Sequence, residues 1–177
     1  QLFCDVFHSL GFNEPNFDID RPAGNTDIML QHCTKKQFAL IRYTAQNGPI
    51  DKAELNAFAE VLDIEQTYHN QDGYNVIGYF VSKSGFTPEA FEQEENFNKK
   101  SKKLTLLGPE QIVQELIQGH ILCSLHLATH AVKYQDSTLS LCEDADLLAC
   151  EYGWMWVLYY APNPGQPATH FALVHAD

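Results

Sequence analysis

Four of the 11 basic residues crowd into one stretch, "NFNKKSKKL", as Lys99, Lys100, Lys102 and Lys103. Ammonium groups at that density suit contact with DNA phosphates, which are met mainly through charge. The plainer alternative is a solvated loop ahead of a strand. His120, Cys123, His126 and His130 are residue types that ligate zinc. On a helix all four share a broad face, whereas on a strand Cys123 points away from the histidines. Without two paired ligand elements separated by a loop, surface histidines on a partly buried segment are the simpler reading. Ser84 and Gly85 in "SKSGFT" match neither a Gly-x-Ser-x-Gly elbow nor a phosphate-binding P-loop. They read as a tight strand-to-helix turn, whose exposed amides are suited to hold a phosphate of bound DNA. Trp154, Trp156, Tyr159 and Tyr160 read as two faces of one packed ribbon, with an interaction surface as the alternative.

The elements that must position these groups follow from periodicity and punctuation. "FCDVFHSLGF" places apolar residues at helical spacing and stops at Gly11. Residues 12–25, with two prolines and a glycine, read as loop. "TDIML" and "QFALIRYT" are β-compatible runs joined by "QHCTKK", which predicts an antiparallel hairpin. Asp51 caps a helix expected over residues 51–63, with Leu55, Phe58, Val61 and Leu62 inward. "YNVIGYFVSKS" is a buried strand by composition. Thr87, Pro88 and Glu89 then form a strong helix start. "KLTLL" reads as strand and "GPEQIVQELIQG" as helix. Residues 120–132 fit either helix or strand. Beyond them, "TLSLCEDADLLACEYG", "WMWVLYY" and "THFALVHA" read as strands, the last two joined by "APNPGQPA". The division is therefore residues 1–118 and a β-rich extension, 119–177.

At 177 residues, with 45% hydrophobic and 12% aromatic content, the chain can bury one good core and is not disordered. The longest strongly apolar run, residues 154–161, is too short to cross a bilayer, and no partner in a membrane is expected. The chain opens at Gln1 in what reads as mid-helix, so residues upstream of it are expected. Five dispersed cysteines, an odd number without CxxC, suit reduced thiols and a cytoplasmic setting. A net charge of −12 opposes strong nonspecific nucleic-acid binding.

The order helix, strand, strand, helix, strand, helix, strand, helix resembles the Mrr-like branch of the restriction-endonuclease, or PD-(D/E)XK, superfamily. "LGF", "NTDIML", "FALIRYTAQNGPI", "GYFVSKSGFTPEAF" and "KLTLLGPEQIVQEL" carry the resemblance, over about residues 1–118. It implies an α/β fold: a restriction-endonuclease-like mixed sheet flanked by helices, followed here by the small β-rich extension. It also implies Mg²⁺-assisted phosphodiester hydrolysis, in which carboxylates hold the metal and a lysine positions the attacking water. Asp27 matches the first acid and would be the metal ligand. The acid-x-lysine positions fall on Arg42 and Thr44, and a guanidinium cannot ligate Mg²⁺ or a threonine replace an ammonium. Arg42 is instead suited to neutralise Asp27. In this superfamily the second acid or the lysine can migrate to the next helix, where Glu54 and Lys52 stand. Glu54 is one turn from Asp51, although Asp51 as a cap and solvent-facing Lys52 and Glu54 need no catalytic role.

The leading expectation is a catalytically degenerate, restriction-endonuclease-like domain, acting as a DNA-binding or regulatory module in a DNA-processing or defence protein, with double-stranded DNA as the expected partner. It needs no cofactor, and Lys99, Lys100, Lys102, Lys103 and Ser84 are its candidate DNA contacts. The second is an active Mg²⁺-dependent DNA endonuclease using Asp27, Glu54 and Lys52. The third is a protein-interaction domain, its partner held by the extension.

Overall fold

The computed structural model describes residues 2–13, 22, 27–132, 138–151 and 153–176. Apart from Phe12, Asn13 and Pro22, the loop read over residues 12–25 lies outside them, as does Gln1. The chain divides into two compact units between Glu115 and Leu116.

The first unit contains α1 (Leu2–Ser9), β1 (Ile28–Gln31), β2 (Gln37–Thr44), α2 (Lys52–His69), β3 (Asn75–Ser82), α3 (Pro88–Lys99) and β4 (Leu104–Leu107). Most of α4 (Pro109–Gln118) also belongs to it. The strands form one sheet in the order β1-β2-β3-β4. β1 and β2 make the antiparallel hairpin, with Ile28 opposite Ile41 and Gln31 opposite Phe38. β2, β3 and β4 are parallel. A tight turn cannot join parallel strands, so α2 and α3 serve as the crossovers.

Both crossovers cover the same sheet face. Leu55, Phe58, Ala59 and Leu62 of α2 and Ala90 of α3 pack with Phe38, Leu40, Val76, Phe80, Leu104 and Leu106. Alternation along each strand puts those residues on one side. On the other side Phe7 of α1 meets the Tyr79 ring edge-on at 5.3 Å, and Phe12 meets it at 6.0 Å. A Cβ added at Gly78 would lie 2.8 Å from Leu62 Cδ2 and 3.1 Å from Phe58 Cε1. Bare backbone there lets α2 settle onto the sheet.

α2 continues to His69, past the end expected near residue 63. Its buried positions keep helical spacing through Leu62, Glu65 and His69. The later two are polar, so an apolar pattern stops too early. Glu65 and His69 are buried side by side, with His69 Nε2 3.4 Å from Glu65 Oε2. Gln66 fastens the same turn to β3 by accepting from the Val76 amide at 2.8 Å.

Burial and then the Glu115 carboxylate push the Tyr79 phenol up from 10.0 to about 12. Between those values the unfolded chain has lost this proton and the folded chain keeps it. Stability therefore falls as pH rises through that window, by about 1.4 kcal/mol per pH unit at its steepest. We expect Tyr79→Phe to flatten this alkaline loss, read from urea midpoints at stepped pH. An unchanged slope in the variant would refute the assignment.

The second unit contains α5 (Leu125–Ala131) and an antiparallel sheet of β5 (Ser140–Cys150), β6 (Gly153–Ala161) and β7 (His170–His175), in that order. The segment that fitted either helix or strand becomes α5 because Ser124 caps it, accepting from the Leu127 amide. Trp154, Trp156, Leu158 and Tyr160 share the buried face of β6. The Trp156 indole donates to the Cys123 carbonyl at 3.0 Å. Tyr159 takes the opposite face, its hydroxyl donating to Asp146 Oδ2 at 2.6 Å. No cysteine is bridged. No helix among the described residues is long and apolar enough to cross a membrane.

Candidate functional site

Parallel strands deliver their carboxyl ends, and the starts of the helices that follow, to one edge of the sheet. Thr44, Ser82, the Asp51 cap of α2 and the Thr87 cap of α3 all lie there. Because β1 runs the other way, Asp27, the residue just before it, arrives at the same edge. Extending the hairpin register by one residue sets Asp27 opposite Arg42.

The two are clamped together. Arg42 Nε donates to Asp27 Oδ1 and Nη2 to Oδ2, both at 2.8 Å. This fork-on-carboxylate geometry is the strongest form of protein ion pair. The Asp27 side chain is only 2% exposed and that of Arg42 25%. The guanidinium carbon also lies 5.0 Å from the centroid of the Phe58 ring. Apolar packing thus fixes Arg42 from one side and the carboxylate from the other.

The remaining positions of the expected motif are otherwise engaged. Thr44 follows Arg42 on the same strand face, and its hydroxyl accepts from the Gln46 amide at 3.4 Å. Asp51 is a helix cap: Oδ1 accepts from the amides of Ala53 at 2.8 Å and Glu54 at 3.0 Å. Lys52 is exposed in the first turn. Glu54 Oε2 accepts from the Gln46 side-chain amide at 3.2 Å. These donors do not fit a Mg²⁺ site as arranged. Both Asp27 oxygens face a guanidinium, whose charge opposes a cation, and Asp51 is turned into its own helix. Among the described residues no group of three His, Cys, Asp or Glu could hold a metal ion.

Ser84 ties two loops. Its hydroxyl donates to the Gln46 carbonyl at 2.8 Å, and its amide donates to Ser82 Oγ at 3.2 Å. The same loops are pinned where the Ile50 amide donates to the Gly85 carbonyl and the Thr87 amide to the Ile50 carbonyl. The edge is therefore built and cross-braced, with Gln46 at its hub.

The lysine cluster lies elsewhere. Lys99, Lys100, Lys102 and Lys103 precede β4, at the amino edge of the parallel strands, opposite the Asp27–Arg42 edge. Lys99 pairs with Glu95 at 3.3 Å and Lys102 with Asp63. Lys102 also lies 5.2 Å from the Phe97 ring centroid. No ion pair engages Lys100 or Lys103 among the described residues. Exposed pairs such as Lys99–Glu95 are worth under about 1 kcal/mol, so a phosphate can displace them at little cost.

In the second unit, His126 and His130 lie one turn apart on α5, ring centroids 4.3 Å apart and planes tilted by 59°. His130 Nδ1 is 2.8 Å from the His126 carbonyl and so carries the proton that donates to it. Cys123 is instead built into the packing: its amide donates to the Ala176 carbonyl and its carbonyl accepts from Trp156. The four residues do not assemble as a ligand set.

Sequence reasoning missed the Glu65–His69 pair, which packs beneath Phe38, with 4.8 Å between the His69 and Phe38 rings. The available signal was its i,i+4 spacing in continuation of Leu55, Phe58 and Leu62. A scan against protein-family models finds no match, and a search of curated proteins finds none either.

Proposed function

We propose that residues 1–118 form a catalytically degenerate, restriction-endonuclease-like domain acting as a DNA-binding or regulatory module in a DNA-processing or defence protein. One observation carries this reading: the only carboxylate that matches the expected motif is buried and gripped at both oxygens by Arg42. The element order of the first unit, and a mixed sheet with its antiparallel strand at one edge, also support it. Fold likeness alone does not license an activity, so the reading rests on the site. The exposed lysines at the amino edge are the surface proposed to meet duplex phosphates.

Plasmid nicking with Mg²⁺ or Mn²⁺ tests the first half of this proposal, comparing the native chain with Asp27→Ala and Glu54→Ala. We expect no cleavage by any of the three. Cleavage by the native chain that both substitutions abolish would establish the rearranged endonuclease of Asp27, Glu54 and Lys52. Retention of duplex DNA at stepped salt tests the second half. Four lysine–phosphate contacts predict a slope of log affinity on log salt of roughly −3 to −4, reduced in Lys100→Glu/Lys103→Glu.

A second reading, a protein-interaction module, draws on the second unit. The exposed face of its sheet carries Leu148, Phe171 and Leu173. Residues 153–176 contain no Asp, Glu, Lys or Arg, which suits the desolvated centre of an interface. Absence of DNA retention at any salt would favour it.

A further inference from the structure

Asn47 and Gly48 sit in the loop that leaves β2 beside Arg42 and Thr44 and leads to the Asp51 cap. We infer that Asn47 is a site of spontaneous covalent modification, converting to aspartate and isoaspartate with solvent water as the only co-reactant. The chemistry is an intramolecular acyl substitution. The deprotonated Gly48 amide nitrogen attacks Asn47 Cγ, the new C–N bond closes a five-membered succinimide, and the Cγ–Nδ2 bond breaks to release ammonia. Water then opens the imide at either carbonyl. The net change is amide plus water to acid plus ammonia, with no electron transfer.

Three requirements of that reaction meet at this position. The nucleophile must be unengaged, and among the described residues no hydrogen bond involves the Gly48 amide or the Asn47 side chain. The approach must be open: Asn47 is exposed, and a Cβ added at Gly48 would find nothing within 4 Å. The backbone must bend freely, and Gly48 has φ +124°, a region that side chains disfavour.

Four other candidates among the described residues lack one of these. The Asp72–Gly73 step has its amide occupied, donating to the Asn70 carbonyl at 3.0 Å. The Asn98 side chain is held at both ends by Leu104, at 2.8 and 3.0 Å. Asn56 lies inside α2 and accepts from Gln93. Asn163 precedes Pro164, which has no amide proton to lose.

The consequence is a new carboxylate in the loop whose hub, Gln46, already holds Glu54 and Ser84. The edge gains negative charge, and the isoaspartate route lengthens the backbone by one methylene next to the Gln46–Ser84 tether. Neither step depends on the DNA reading.

The test is a time course of the whole chain in warm, mildly alkaline buffer, beside a peptide of residues 44–50. Peptide mass mapping and isoaspartate methylation by an S-adenosylmethionine-dependent methyltransferase read the product. We expect conversion at Asn47 within about tenfold of the free-peptide rate, with isoaspartate in excess. Asn47→Gln should abolish the signal, and Gly48→Ala should slow it by roughly tenfold, because a Cβ obstructs the ring closure. Retention of the Asn47 amide while the peptide converts, or earlier conversion at another asparagine, overturns the inference.

Discussion

Arg42→Ala is expected to destabilise the chain by about 3 kcal/mol, with the Asp27 carboxylate left behind in its buried position. The magnitude follows from an asymmetry. A well-made buried pair adds little over a matched apolar pair, but removing one partner strands the other charge. At 2% exposure the Asp27 side chain has little water to fall back on. Arg42 also lies over Phe58, so truncation removes packing as well as charge. Urea denaturation followed by far-UV circular dichroism should show a lowered midpoint with an unchanged slope. Asp27→Asn/Arg42→Leu, which removes both charges, should cost much less than Arg42→Ala and Asp27→Asn added together. A loss within about 0.5 kcal/mol for Arg42→Ala would place Asp27 in ordinary surface surroundings and remove the main support for a silenced site.

The second large effect is at the floor of that site. Phe58 is fully buried, meets Phe80 edge-on at 5.3 Å and underlies the Arg42 guanidinium. We expect Phe58→Ala to cost about 3–5 kcal/mol, because it removes a fully buried ring and leaves a cavity beneath β3. Gly78 has no side chain to swing into the gap. Phe58→Leu, which keeps most of the volume, should cost less than half as much. Because Phe58 and Arg42 touch, their losses should not add, and the coupling between them measures how far the aromatic floor holds the guanidinium in its clamp. Equal losses for the leucine and alanine variants would show that ring packing at this point is not what stabilises α2 on the sheet.

Together these expectations concern an edge whose polar side chains are engaged with one another and with the backbone. A nuclease-like site needs carboxylates that can exchange a proton, a metal and a water. Here the matching carboxylate is committed to a structural pair, Asp51 to its helix and Glu54 to Gln46. The charge suited to phosphate lies at the other edge of the same sheet. The lysine cluster and the Asp27–Arg42 pair thus lie at opposite ends of the parallel strands.

Much of this was legible along the chain, because the deciding forces act within a few residues. The β1–β2 hairpin follows from two β-compatible runs and a short polar turn. The caps Asp51 and Thr87 announce α2 and α3 because a side-chain oxygen and the amides it serves are two or three residues apart. Opposite charge made an Asp27–Arg42 pairing readable in outline. Other features depended on residues distant in sequence. The extent of α2 was hidden because its final turns bury Glu65 and His69, whose partners come only with the fold. α5 was undecided until Ser124 capped it and its face met β6. The two-oxygen grip on Asp27 needed the hairpin register and the Phe58 platform. The separation of the lysines from that grip needed parallel strands, whose opposite ends no local pattern can compare.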